Sequence, residues 1–517
     1  MAATTPKKGL SQVSLIFAYV LRPRAGVHAT DVHIRFFSCG TALFSDGYAN
    51  GIIGTLPTHT SLVLKRTYGA DEVSKHNYSN IVNSTAFAGT IVGMLTFGYL
   101  SDRFGRKSGM MTAAAIVALF SGLSAASSGA HHSIGGLLSM LSAMRFLLGI
   151  GIGAEYPCGS VAASEQSEEP GIGKNAQHRW FALATNTMID FGFVVAAFVP
   201  LVLYWIFGEH HLRAVWRLSL GLGVIPAVAV FIWRLNMQEP TRFRKDSMAR
   251  ARTPYWLIIK RYWRNLFAIC ITWFIYDFIT YPFSIYSSTV VDTITGNSSA
   301  LSIVFGWNVV INLFYMPGTI GGALLVDYLG PKHTMILGLM AQAIIGFIMS
   351  ALYTQLTKHI AAFAVLYGIF LSFGEVGPGN CLGMLAAKTG PTAIRGKFYG
   401  IAAAIGKVGA FVGTYVFPDI VNDFQNRYGG NNPNIGNTGP FWIGSGLAVL
   451  SAIITLVLIK PLTHDGMAEE DRLFREYLEA NGYDTSQMGL GLTDESTTFS
   501  DGDASEKDGA SEKVAAV

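Results

Sequence analysis

Charge is scarce in this sequence: Asp, Glu, Lys and Arg make up 14% of its 517 residues, where ordinary soluble domains carry about 25%. Half of the chain is hydrophobic and its mean hydropathy is +0.38. That balance excludes an ordinary soluble enzyme and predicts a polytopic protein whose main partner is a lipid bilayer. A net charge of only +4 lends no support to nucleic-acid binding. Cysteine is nearly as scarce. Cys39, Cys158, Cys270 and Cys381 lie far apart in apolar segments, with neither a disulfide framework nor a metal-ligand spacing, and read as small buried hydrophobes. Neither a metal nor a cofactor is expected. A nucleophile elbow, an H-E-x-x-H site and a soluble catalytic domain are also missing, which argues against an enzyme. The apolar run from Ser14 to Leu21 is short and is followed by Arg22 and Arg24 with no cleavage site, so it reads as an interfacial turn rather than a signal peptide.

Long apolar segments take the place of these features. A sliding window finds about twelve, each long enough for a hydrocarbon core about 30 Å thick. They fall near residues 35–56, 81–101, 109–128, 136–162, 178–206, 214–235, 265–291, 302–327, 333–353, 359–386, 394–419 and 439–460. An even number puts both termini on one side. The loop after the sixth segment holds Arg242, Arg244, Lys245, Arg250, Arg252, Lys260, Arg261 and Arg264, which makes that side cytosolic. The sequons at Asn77 and Asn297 then face outward as candidate glycosylation sites. The predicted organisation is a cytosolic segment (1–34), two six-helix halves (35–235 and 265–461), a basic linker (236–264) and a cytosolic tail (462–517). In the tail Leu473, Phe474, Tyr477 and Leu478 share one helical face; beyond about residue 491 the composition cannot build a core.

The halves repeat each other. Gly98-Tyr-Leu-Ser-Asp102-Arg103-Phe-Gly105-Arg106-Lys107 follows the second segment, and Leu324-Leu-Val-Asp327-Tyr-Leu-Gly330-Pro-Lys332 follows the eighth. Asp46 and Asp277, in the preceding segments, recur at nearly the same offset, as two duplicated bundles require. The residues from Gly98 to Lys107 resemble the loop signature of the major facilitator superfamily. That resemblance implies an all-α membrane fold of two six-helix bundles rocking about a central cavity. Physically the motif is a latch: Asp102 can pair with arginines and a helix N-terminus, while the glycines admit close helix approach.

Ionisable residues inside the segments narrow the reading. Asp46, Glu155, Asp277 and Lys407 lie well within them and would together cost on the order of 10 kcal/mol if charged and unpaired. For Arg145, Asp190 and Glu375 a structural pair weighs as heavily as a functional role. Gly149-Ile-Gly151-Ile-Gly153 lies inside an apolar segment and reads as close helix packing, not a nucleotide loop. Lys388 and Arg395 read as ordinary positive-inside charges rather than gate residues.

Gly153-Ala-Glu155-Tyr156-Pro157, Trp273-x-x-x-Asp277 and Gly406-Lys407-Val-Gly409 are similar to the phosphate:proton symporter branch of the superfamily. The resemblance implies a small anionic phosphorylated substrate driven by protons. Lys407 would hold the phosphoryl group; Tyr156, Asn186 and Trp273 would line the site; Asp46, Glu155 and Asp277 would couple protons. The chain departs from phosphate carriers at Glu155, at Ala49 and at Pro378-Gly379-Asn380, where those carriers have Asp, Asp and an Asn directly after the proline. Losing the side chain at Gly379 enlarges the site. Trp273-Phe-Ile-Tyr-Asp277-Phe, Ser287-Ser-Thr289, Gly377-Pro-Gly379, Arg395-Gly-x-Phe-Tyr-Gly400 and Glu476-Tyr-Leu-x-x-Asn-Gly482 resemble fungal glycerophosphoinositol and glycerophosphocholine permeases. The expectation is proton-coupled glycerophosphodiester uptake at the plasma membrane by a monomer. A phosphate symporter, a carrier or exporter of another organic anion, and a nutrient receptor are the alternatives.

Overall fold

The structure is a computed structural model and describes residues 37–55, 67–68, 78–169, 172–249, 251–294, 301–430, 435–464, 466–486 and 488–489. The segment 1–34, the sequons at Asn77 and Asn297 and the tail beyond residue 490 lie outside the described residues.

The described chain is helical. We number the spans α1 (Phe44–Thr55), α2 (Tyr78–Phe104), α3 (Arg106–Ala125), α4 (Ile134–Ser167), α5 (Lys174–Phe207) and α6 (Glu209–Arg234) in the first half. The second half holds α7 (Tyr255–Ile294), α8 (301–330), α9 (331–351), α10 (Ile360–Lys388), α11 (Arg395–Tyr428) and α12 (Thr438–Leu458). A final helix, α13 (Gly466–Ala480), follows. Among the described residues 9 helical stretches are long and apolar enough to cross a membrane, one of them spanning both α8 and α9. Large apolar side chains such as Trp205, Ile206, Ile225, Leu456 and Val457 point outward from them. A protein with that surface lives in a bilayer, and the chain is an integral membrane protein.

Local chemistry sets the breaks. Between α2 and α3 the backbone turns at Gly105 with φ 104°, and between α8 and α9 at Gly330 with φ 74°, a region glycine enters without penalty. Pro331 then opens α9, where its missing N–H costs nothing. These two kinks follow Asp102 and Asp327, so the sequence repeat is also a repeat of shape. Ser133 starts α4 by accepting the Gly136 N–H at 3.2 Å. Near their middles α4 and α10 each contain one π-helical turn, Tyr156–Ser160 and Glu375–Gly379, and each turn holds a proline. Such turns offset the helix and frequently mark functional sites.

Within the first bundle α2 packs on α4 and α1 on α5; within the second α7 packs on α11 and the α8–α9 unit on α10 and α12. Between the bundles α2 meets α11, α5 meets α8 and α1 meets α7. The glycine run of α4 has the packing role its setting predicts. A β-carbon on Gly149 would lie 2.1 Å from the Ala86 carbonyl oxygen, and one on Gly153 2.1 Å from that of Thr90. Buried Arg145 ties α4 to α1, donating to the Ala49 carbonyl at 2.9 Å. Helix α7 begins at Tyr255, within the stretch read as linker, and exposes Trp256 and Trp263 as an interfacial belt would. The buried face of α13 is Met467, Asp471, Phe474 and Leu478, with Leu473 and Tyr477 at its margins.

Candidate functional site

A narrow cavity of about 50 Å³ lies between the bundles, lined from both. Lys407 on α11 reaches into it. Its ammonium lies 3.4 Å from Asp277 Oδ2 on α7 and 3.9 Å from Asp46 Oδ2 on α1. It also donates to the Tyr281 hydroxyl and sits 3.8 Å from that ring's centre and 5.2 Å from the centre of the Tyr156 ring. Asp46 accepts from Tyr156 Oη at 2.5 Å, from Tyr281 Oη at 3.1 Å and from Asn50 Nδ2 at 2.7 Å. The π turn of α4 begins at Tyr156, the residue that meets Asp46. Trp273 closes this corner against Tyr399, ring centres 5.6 Å apart, and packs on Gly406, where a β-carbon would be 2.5 Å from the indole.

The opposite corner holds two carboxylates without a cation. Asn186 Nδ2 on α5 donates to Asp190 Oδ2 at 3.1 Å and to Glu375 Oε2 at 3.0 Å. Tyr276 Oη donates to Glu375 Oε1 at 2.7 Å. Thr319 on α8 bridges to Asn380, donating to its Oδ1 at 3.2 Å. Glu375 opens the π turn of α10, and Gly379 closes it. A β-carbon on Gly379 would lie 2.0 Å from Glu375 Oε2, so the bare backbone there makes room for that carboxylate. Asp190 and Glu375 therefore do more than pair structurally across helices: both face the cavity.

On the side that carries the linker, a dense ionic gate closes the bundles. Asp102 accepts from Arg106 Nη1 at 2.7 Å and from the Gly396 and Lys397 N–H groups, both at 2.9 Å, at the N-terminus of α11. Glu165 lies 3.1 Å from Arg106 and 3.2 Å from Arg395. Glu168 takes Arg242 at 2.7 Å and Lys388 at 3.5 Å. Asp471 of α13 accepts the Thr392 N–H at 2.6 Å and lies 3.6 Å from Arg395. Across the pseudo-twofold, Asp327 accepts the Arg179 N–H at 3.1 Å near the start of α5. Gly98 admits the close contact, since a β-carbon there would be 2.9 Å from the Gly396 carbonyl oxygen. Glu239 accepts the N–H groups of Arg106 and Lys107, each at 2.9 Å, and burial pushes its carboxyl above the usual range despite them. Facing away from the linker, Phe193 stacks on Tyr315 at 5.5 Å and Tyr204 meets Phe305 at 6.0 Å, bringing α5 against α8.

Known proteins share this architecture and sequence. The family model described as "Sugar (and other) transporter" matches residues 36–252 and 244–474. The chain belongs to this family of the major facilitator superfamily. A glycerophosphocholine permease of Candida albicans is 47% identical over 488 residues, 93% of this chain and 89% of the relative. The major glycerophosphoinositol permease of the same yeast is 46% identical over 88% of this chain and 83% of the relative. Among solved structures, the proton:xylose symporter XylE bound to 6-bromo-6-deoxy-D-glucose superposes with a TM-score of 0.68 at 18% identity, covering 86% of this chain and 98% of that one. This facilitator is a membrane transporter and not an enzyme.

The facilitator fold gathers most of the residues singled out by sequence and separates a few. Tyr156, Asn186, Trp273, Asp277, Gly379, Asn380 and Lys407 line one cavity, with Asp46 directly behind its tyrosines. Glu155 departs from its expected proton-coupling place. It accepts from Arg234 Nη1 at 2.7 Å, and Arg234 also binds the Ser38 and Cys39 carbonyls, so this acid ties α4 to α6 and to the segment before α1. One helical step from Tyr156 turns it away from the cavity. Arg103, counted in the latch motif, is exposed. Lys388 and Arg395 require the larger correction. Both are fully buried in the gate, because Glu165, Glu168 and Asp471 converge on them from distant parts of the chain. Tyr276 and Tyr281 escaped notice although they flank Asp277, Tyr281 at helical spacing on the same face. Arg234, Glu165 and Asp471 carried no local signal.

Proposed function

We propose that the chain is a proton-coupled importer of glycerophosphodiesters such as glycerophosphoinositol and glycerophosphocholine, working by alternating access. The observation that carries this reading is the charge count. Asp46, Asp190, Asp277 and Glu375 stand in or directly behind the cavity, all buried, and Lys407 is the single cationic side chain among the described residues lining it. Two like charges about 4 Å apart repel by about 4 kcal/mol at the effective dielectric of a protein surface, and by more deeper inside. An anion therefore enters only after protons have cancelled part of this excess.

Asp277 and Asp46 hold Lys407 when ionised. Protonation of either loosens that hold, and the ammonium turns to a phosphoryl oxygen, a point-charge contact for which lysine is suited. Tyr156, Tyr281 and Trp273 then wall the phosphate, while the amides of Asn186 and Asn380 face the head group. A phosphodiester keeps one negative charge at physiological pH, so one proton makes the cycle electroneutral and further protons make it electrogenic. With the gate formed the loaded cavity faces away from the linker; parting of the gate releases the cargo on the linker side, taken as cytosolic along with both termini. The plasma membrane is the site of action. One chain holds both bundles and a complete cavity, so the transport unit is a monomer.

The test is uptake of labelled glycerophosphocholine and glycerophosphoinositol, with orthophosphate in parallel, in cells lacking their own carriers and across acidic to neutral pH. Acid-stimulated diester uptake is expected. Orthophosphate uptake without diester uptake would move the chain to the phosphate branch, and uptake of none of them would remove the proposal.

A further inference from the structure

At the edge of the gate three side chains from distant parts of the sequence converge. His178 stands near the start of α5, Asp327 near the end of α8, and His464 between α12 and α13. Their potential ligand atoms all lie within 4.8 Å of one another, a little more than twice a zinc–ligand bond of about 2.1 Å. The two imidazoles stack with centroids 4.4 Å apart and planes inclined by 20°. His178 is 1% exposed, and neither of its ring nitrogens has a hydrogen-bond partner; His464 Nδ1 and Asp327 Oδ2 lack one as well. An unsatisfied buried polar atom costs about 1–3 kcal/mol, so a protein rarely leaves several together without a ligand to satisfy them.

Two imidazoles and a carboxylate are the donor set of a borderline divalent cation such as zinc, with one position open to water; hard cations prefer all-oxygen sites. The nearest competitor is Arg179, whose Nε is 3.8 Å from Asp327 Oδ2. Its side chain is 35% exposed, which leaves it room to move aside. The ligands divide between the halves, His178 in the first bundle, Asp327 in the second and His464 in the segment that follows α12. Asp327 also receives the Arg179 N–H that latches α8 to α5. A cation bound here cross-links the two halves at a contact that must part before the cavity can open toward the linker.

We infer that His178, Asp327 and His464 form a zinc-class divalent-cation site that clamps the bundles together on the linker side and arrests transport. Two measurements on the purified full-length protein decide it. In zinc-buffered equilibrium dialysis, wild type is expected to retain stoichiometric zinc and His464→Gln to lose it; His464 is only half-buried, so the variant keeps its fold. In proteoliposomes, zinc on the linker side is expected to slow glycerophosphocholine uptake about tenfold, within the range of allosteric couplings, with recovery on chelation. His464→Gln should match wild type without zinc and ignore it when added. Absence of stoichiometric binding, equal binding by the variant, or binding that leaves uptake unchanged would each overturn the inference. The dialysis needs no substrate, so it gives its answer even if the substrate assignment fails.

Discussion

In the gate, Asp102, Glu165, Glu168 and Asp471 meet Arg106, Arg242, Lys388 and Arg395; in the cavity, Asp46, Asp190, Asp277 and Glu375 meet Lys407. The first network is balanced, with each acid matched by a base and further satisfied by hydrogen bonds. Buried pairs of this kind add little net stability over apolar packing, but breaking one leaves a stranded charge costing about 3–5 kcal/mol. Such a network closes firmly because its charges cancel. The second network is acid-rich, with four buried carboxylates to one ammonium. In the proposed mechanism imbalance is what makes the cavity respond to protons and anions, while balance makes the gate a latch.

The largest expected effect tests the imbalance directly. Lys407→Met removes the cavity's ammonium and should lower diester uptake by about a thousandfold, the upper range for stranding a buried partner; uptake within tenfold of wild type would mean the anion is held elsewhere. Arg395→Met should unbalance the gate. It leaves Glu165 only Arg106, which Asp102 also holds, so the gate carries one uncompensated acid; this shifts the closed state by about 3–5 kcal/mol and should raise linker-side labelling of a cysteine probe at Ser160, which lines the cavity (Ser160→Cys), by at least about a hundredfold. Unchanged labelling would show that apolar contacts alone hold the gate. Asp277→Asn should reduce proton-driven accumulation about a hundredfold, the cost scale of one intramembrane charge, yet leave substrate counterflow running. Loss of both activities would assign Asp277 to binding rather than coupling. Gly379→Ala should weaken apparent affinity for the diester by about fivefold, an overpacking cost of about 1 kcal/mol, and orthophosphate should not feel it. Glu375→Gln should be mildest, within about threefold by initial uptake rate. Glu375 and Asp190 both accept from Asn186, an amide that serves a neutral isostere of Glu375 equally well, so the substitution changes little. A collapse of uptake in Glu375→Gln would make this pair, rather than Asp277, the main proton carrier.

Membrane character, the helical repeat and the identity of Asp46, Asp277 and Lys407 were legible in the sequence, because each rests on local chemistry. Apolar runs of bilayer length must be helical, a charge within such a run must have a purpose, and Asp102-Arg103-Phe-Gly105 marks a break by its own composition. What could not be read there depends on distant partners. Glu155 and Tyr156 are adjacent in sequence, yet a helical step sends one to Arg234 and the other to Asp46. Lys388 and Arg395 looked like ordinary cytosolic charges until Glu165, Glu168 and Asp471 were brought against them. Asp190 and Glu375 come together only because α5 and α10 face one cavity, and His178, Asp327 and His464 only because three element ends meet. The sequence by itself determined what each helix must bury; the tertiary structure alone decided which buried charges cancel and which remain for protons and cargo, since cancellation is a matter of distances between segments that sequence does not order.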